Sequence, residues 1–198
     1  MTAHLKSEKR YKAIAIPVTF VDGKPRFLTV RDKRFKDWIF IAGGCRKTEI
    51  NNPLRCALRE LEEETRGVIS LKSSEYSHFI FETKNRSPEE LISDSVSGID
   101  ITSVYNVYVF FMNVYKQERN DMVQKFNEEK AKMEHRKLNH LPIKRTYDEN
   151  DFMSWDTIEE FRIKKQWDTI KYNILENPEF LKAINSLNKQ QFNIVKRK

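Results

Sequence analysis

Gly-Gly-Cys-Arg-Lys-Thr-Glu-Ile-Asn-Asn-Pro-Leu-Arg-Cys-Ala-Leu-Arg-Glu-Leu-Glu-Glu-Glu-Thr-Arg-Gly, residues 43–67, is the stretch on which the reading of this chain turns. It opens on Gly43 and Gly44, passes Glu49 and enters a helical pattern at Asn52-Pro53. Asn suits an N-cap, and Pro suits the first helical position, where its missing N–H costs nothing. Leu54, Ala57, Leu58 and Leu61 recur at helical spacing, and Gly67 marks the stop. Residues three and four apart share a helix face, so Glu60, Glu63 and Glu64 converge. Such like charges repel by about 0.2–0.5 kcal/mol per exposed pair. Mg²⁺ or Mn²⁺, hard cations that prefer oxygen ligands, turn that repulsion into a binding site. An ion there would act as a Lewis acid and lower the pKa of a bound water.

Working outward, Tyr11 to Phe20 alternates as a strand, Asp22-Gly23 supplies a turn, and Pro25 to Arg31 returns as the second arm of a hairpin. Trp38 to Ala42 is a short apolar strand leading into the glycines, and Glu75 to Glu82 is another strand. Lys84 to Asp100 is polar and reads as loop, with a helical turn at Pro88 to Ile92; Ile101 to Tyr115 is a long strand. Gln117 to Leu138 carries only a thin apolar stripe (Met122, Val123, Phe126, Met133), as for a helix lying on a surface. Phe152 to Trp155 is a strand, and helical patterns follow at Thr157 to Phe161 and from Trp167 to Leu187, interrupted near Pro178. Strands alternating with helices predict an α/β/α layered domain. It spans residues 1–198, with a charged helical insertion at about 116–145 and a C-terminal helical extension at about 166–198.

The segment 43–67 resembles the Nudix box, whose form is G-x5-E-x7-R-E-U-x-E-E-x-G-U with U aliphatic. Arg59-Glu60-Leu61-Glu62-Glu63-Glu64 fits the central R-E-U-x-E-E without a substitution. Two spacings depart from the pattern: nine residues rather than seven separate Glu49 from Arg59, and Arg66 stands where the glycine is usual, with Gly67 one place late. Extra residues before or after a helix leave its geometry intact, so the first departure weakens the role of Glu49 more than those of Glu60, Glu63 and Glu64. The resemblance implies a mixed sheet between helices and a pyrophosphate-cleaving activity that needs Mg²⁺ or Mn²⁺. It implies Glu60, Glu63 and Glu64 as metal ligands, with backbone at Gly43 and Gly44 approaching the metal, and Glu60 also helping to activate water. Arg59 would orient the neighbouring carboxylates by a salt bridge. A further carboxylate is expected from Tyr147 to Trp155, with Glu149 as first choice and Asp151 as second.

The only two cysteines, Cys45 and Cys56, match no metal or redox spacing and read as reduced thiols, Cys56 packed in a helix. His4, His78, His135 and His140 form no ligand spacing. No apolar run approaches the ~18 residues that span a bilayer, and the polar, basic N-terminus resembles no signal peptide. A soluble, cytoplasmic protein without a membrane partner is expected.

The net charge of +7 is clustered. Lys24 to Lys36 holds six basic residues against Asp32 alone, and Lys116 to Arg145 holds nine against five acids. Such clusters attract polyanions. Three substrate readings follow. The first is a capped RNA, whose cap leaves as a methylated guanosine diphosphate. Leu54 to Thr65 looks locally like the box of the mRNA-decapping Nudix enzymes of large DNA viruses, which would place the protein in a host cytoplasm. Arg31, Lys33, Trp38, Lys130 and Lys137 are the expected substrate-binding side chains. The second is a small nucleotide or a diphosphoinositol; the third is a non-catalytic RNA-binding or partner-binding domain, against which all the box glutamates stand. The sequence leaves the oligomeric state open.

Overall fold

The computed structural model describes residues 7–71, 75–84 and 100–195. Its sheet is organised by β1 (Ser7–Val21), which runs parallel to β6 (Asp100–Phe111) from Ser7↔Asp100 to Val18↔Phe111. The opposite edge of β1 is shared. Its middle, Lys12 to Ala15, pairs antiparallel with β4 (Ile41–Gly44), and its last residues pair with β2 (Lys24–Asp32) across the turn at Asp22 and Gly23. Both turn residues have positive φ, as a two-residue hairpin requires. β3 (Trp38–Ile39) and β7 (Asn150–Asp156) flank β2, and β5 (Tyr76–Thr83) closes the far side against β6. Among the described residues these seven strands form one mixed sheet.

Helices cover both faces. α1 (Pro53–Glu64) and α2 (Lys116–Leu138) pack on one, where Cys56, Ala57, Leu61 and Phe126 meet Ala13, Leu28, Val30 and Phe110. The other carries α3 (Ile158–Arg162), α4 (Asp168–Ile170) with a π-helical turn at Lys171–Leu175, and α5 (Pro178–Val195). There Phe161, Ile174, Phe180 and Leu187 bury Ile14, Val18, Phe27 and Phe40. The expected α/β/α sandwich with a mixed sheet is thus the observed architecture. Residues 85–99 of the expected loop lie outside the described residues.

Boundaries move where side chains compete with pattern. The strand expected to reach Tyr115 ends at Phe111, and Tyr115 instead begins α2, its N–H donating to the Glu118 carboxylate at 2.6 Å. α2 buries Arg119, Phe126 and Met133, seven residues apart, so one seam anchors an otherwise exposed helix. Among the described residues no helix is long and apolar enough to cross a membrane.

α1 ends in a Schellman turn: Arg66 N–H donates to the Glu63 carbonyl at 3.1 Å and Gly67 N–H to the Glu62 carbonyl at 2.7 Å. Both residues are left-handed, φ 58° at Arg66 and 76° at Gly67. Glycine is usual at the first of these positions, and an arginine there costs about 1–2 kcal/mol.

The aromatic packing of α5 gives a stability test. Phe180 is fully buried, its ring centroid 5.6 Å from Phe27 and 6.1 Å from Phe40. Phe180→Ala should destabilise the whole chain by about 3–5 kcal/mol in urea unfolding, as a large-to-small core change does. A loss below about 0.5 kcal/mol would mean that α5 is not part of the core.

Candidate metal centre

Pairing with β1 fixes the glycine turn: Ala13 sits opposite Gly43, and Lys12 opposite Gly44. α1 then runs beneath it and presents its glutamates. The approach is so close that a Cβ on Gly43 would lie 2.0 Å from the Glu60 carboxyl carbon, whereas a Cβ on Gly44 would meet open space. A side chain at Gly43 would therefore displace the Glu60 carboxylate from its present place. Gly44 contributes its carbonyl, which accepts from Arg59 Nη2 at 3.0 Å.

Arg59 is the hub. Its Nε and Nη2 grip both oxygens of Glu49 at 2.8 and 2.9 Å, and its Nη1 donates to Glu60 at 2.6 Å and Glu63 at 3.1 Å. Glu49 thus reaches Arg59 despite the two extra residues between them. The excess is taken up in the turn at residues 47–51, where Glu49 N–H and Asn52 N–H close successive turns. Glu49 also accepts from Arg46 N–H at 2.9 Å. Paired with Arg59, the Glu49 carboxyl is held down at about 2.

The other glutamates carry more charge than their surroundings balance. Glu60, Glu63 and Glu64 are all buried. Burial, together with Glu63 nearby, pushes the Glu60 carboxyl up even against the charge of Arg59. Burial raises Glu64 well above the carboxylate range, although its oxygens accept from Asn150 Nδ2 at 2.7 Å and Ala42 N–H at 2.9 Å. Glu149 is raised by desolvation where it faces the cluster and then by the charges of Glu60 and Glu63. Arg46 at 3.5 Å and Lys144 at 3.6 Å lean on Glu63 from the rim.

This is an oxygen-rich, over-charged pocket, and a hard divalent cation is the partner such a donor set fits. Among the described residues no three His, Cys, Asp or Glu side chains are already arranged to grip an ion. The hydrogen bonds explain this: Glu60 and Glu63 are turned to Arg59, and Glu64 to Ala42 and Asn150. Binding a cation would exchange some of these donors for the ion.

The expected substrate residues divide into two groups. Arg31, Lys33, Lys130 and Lys137 gather at the start of β7. Arg31 forks onto Asp151 at 2.8 and 2.9 Å, and Lys36 reaches the same carboxylate at 2.7 Å. Lys33 and Lys137 share Asp148 and Glu134, and Lys130 donates to the Asp151 carbonyl at 3.0 Å. The Asp151 carboxylate is therefore committed to cations. Trp38 stands on the other face, packed against the α3–α5 core with Lys164 Nζ 3.5 Å above its ring. The sequence reading missed Asn150, Ala42 N–H, Arg46 and Lys144. Asn150 has a sequence signal of sorts, lying between the two carboxylates singled out there; the others have none.

A NUDIX domain model matches residues 9–176. Among solved structures, the NUDIX domain of Shewanella oneidensis NrtR complexed with ADP ribose is similar at 12% identity, with 83% of this chain and 84% of that one covered and a TM-score of 0.50. A C. elegans Ap4A hydrolase aligns at 14% identity over 93% of this chain and 98% of that one, with a TM-score of 0.45. No curated protein sequence matches significantly.

The Glu49–Arg59 pair predicts an acid-side signature. Because the folded pKa is depressed from 4.5 to about 2, the pair stabilises fully above pH 4.5 and is lost as pH falls toward 2. Glu49→Gln should cost about 1–3 kcal/mol at pH 7. The gap to wild type, followed by urea unfolding as pH is lowered, should narrow through that window. A gap independent of pH would show that the ion pair is not its source.

Proposed function

The chain belongs to the NUDIX domain family, and from that premise we propose that it is a divalent-metal-dependent pyrophosphohydrolase acting on capped RNA. The observation that carries the reaction class is the excess of buried carboxylate beneath Gly43. Glu60, Glu63 and Glu64 would hold Mg²⁺ or Mn²⁺, with Glu149, the residue just before β7, closing the site and Glu60 or Glu149 taking the proton of the attacking water. The ion supplies charge neutralisation of the diphosphate and a more acidic water. Arg59 orients Glu60 and Glu63, and Glu49 fixes Arg59. Arg46 and Lys144, cations already beside Glu63, are placed to meet phosphate oxygens as they arrive.

Capped RNA is favoured by the ground next to Glu149. Phe152 is an exposed aromatic ring with the Arg31 guanidinium 4.2 Å and Lys130 Nζ 5.1 Å from its centroid. Lys33, Lys36 and Lys137 stand around the same strand start. A ring with cations beside it is the kind of surface on which a base and a backbone are held together. The second reading, a small nucleotide, is supported by the pairing of those cations: Arg31, Lys36, Lys33 and Lys137 already engage Asp151, Asp148 and Glu134. That leaves less charge for a long polyanion than the sequence total suggests.

The test is to incubate the protein and Mn²⁺ or Mg²⁺ with RNA carrying a labelled cap, beside free cap analogue and a panel of nucleoside triphosphates. Metal-dependent release of methylated guanosine diphosphate from RNA, with small molecules cut poorly, is expected. Efficient cleavage of a small nucleotide with capped RNA intact would replace this reading by the second. Glu64→Gln should lower turnover on the order of 100-fold or more, since even outer partners of a metal ligand are worth 10–100-fold, while leaving thermal unfolding close to wild type. Near-normal activity would overturn the metal assignment.

A further inference from the structure

Arg66 occupies the turn position where the box has glycine, and its guanidinium makes that choice intelligible. The residue is 4% exposed. Its guanidinium carbon lies 4.0 Å from the centroid of the Phe126 ring, on α2. Nη2 donates to the backbone carbonyl of Asn150, the first residue of β7. Asn150 in turn donates from Nδ2 to Glu64 Oε2 at 2.7 Å, and the other oxygen of Glu64 is fixed by Ala42 N–H. The result is a continuous chain of contacts from the inserted helix through Arg66 and Asn150 to a buried glutamate. Among the described residues Nε and Nη1 of Arg66 have no hydrogen-bond partner, so there the guanidinium is held by one carbonyl and one aromatic ring.

We propose that Arg66 is a positioning residue: clamped on Phe126, it fixes the start of β7 so that Asn150 presents Glu64 to the metal. The inserted helix α2 is then part of the catalytic support. This rests on the reading above that Glu64 is a metal ligand.

The clamp accounts for three features together. A left-handed arginine is tolerated because stacking and the hydrogen bond to Asn150 offset its backbone cost. A guanidinium is suited to the place because its flat face can lie on a ring while its edge donates, which an ammonium cannot do. Phe126, fully buried in a mostly exposed helix, is in the register that puts a ring beneath Arg66. Glycine at position 66 would free the backbone but leave the Asn150 carbonyl without this donor. Apart from its own bond to Glu64, Asn150 would then rely on strand pairing, where the register between β2 and β7 already shifts at Arg31/Asp32.

The test measures metal binding directly, by the electron paramagnetic resonance signal of free Mn²⁺, for wild type, Arg66→Gly, Phe126→Leu, Asn150→Ala and the Arg66→Gly/Asn150→Ala double variant. Each single variant should weaken Mn²⁺ binding roughly 3- to 10-fold, at the low end of what outer partners of a ligand contribute. The double variant should be no weaker than the weaker single, and Phe126→Tyr should restore wild-type affinity. In metal-free protein the Asn150 side-chain amide resonance should shift in Arg66→Gly. Wild-type Mn²⁺ affinity in folded Arg66→Gly, or effects that multiply in the double variant, would overturn the proposal. Should Arg66→Gly fail to fold, Phe126→Leu carries the same comparison. Failure of wild type to bind Mn²⁺ would refute the metal reading instead, and the amide signal still decides the clamp: if it does not move, Arg66 does not position Asn150.

Discussion

Burying several carboxylates side by side is the constraint around which this molecule is built. Each loses hydration and each raises the cost of ionising its neighbours, so the cluster survives only if the fold supplies donors that cannot drift. Arg59 is the principal one. It lies within the same helix as Glu60 and Glu63 and is pinned by Glu49, so its guanidinium cannot follow one glutamate without releasing another. Gly43 contributes by absence: a Cβ there would take the space the Glu60 carboxylate occupies. The rest of the sheet then has a definite task, which is to keep Gly43 in register with Ala13 while α1 packs beneath.

That task explains the two-sided core. β1 holds β4 on one edge and β6 along nearly its whole length on the other, so the glycine turn hangs from the most continuous pairing in the protein. The aromatic cluster of Phe27, Phe40, Phe161 and Phe180 stiffens the opposite face. Phe40 and Ile41 are consecutive and face opposite cores, so the strand leading into the glycines is locked from both sides. A site that must hold repelling charges at fixed distances benefits from that rigidity more than from any single contact.

Much of this was legible in the sequence because it is local. Helical spacing brought Glu60, Glu63 and Glu64 together, alternation gave the strands, and Asn52-Pro53 placed the start of α1, although the Asn52 side chain makes no cap hydrogen bond. What was not legible depends on partners distant in the chain. Glu49 was discounted for its spacing, yet a turn absorbs two residues without moving its carboxylate from Arg59. Asp151 was a candidate ligand by type, but Arg31, far away in sequence and opposite Phe152 in register, claims it. Trp38 was an expected substrate-binding side chain, and it packs with the α3–α5 core under Lys164. No pattern rule reports which of two neighbouring polar residues will face a buried glutamate, and here it is Asn150.

Net charge is the feature most changed by seeing the fold. A basic segment suggests an electrostatic track only to the extent that its cations are not already answered. Around the start of β7, lysines and arginines from β2, the β2–β3 loop and α2 meet the carboxylates of Asp148, Asp151 and Glu134 at hydrogen-bond distance. Those contacts tie the insertion to the sheet, so part of the positive charge is structural. The cations beside Glu63 differ in kind: Arg46 and Lys144 each lean on a carboxylate that a divalent ion would also claim. A divalent ion held by Glu63 would compete with both for that carboxylate, leaving Arg46 and Lys144 available to an incoming anion.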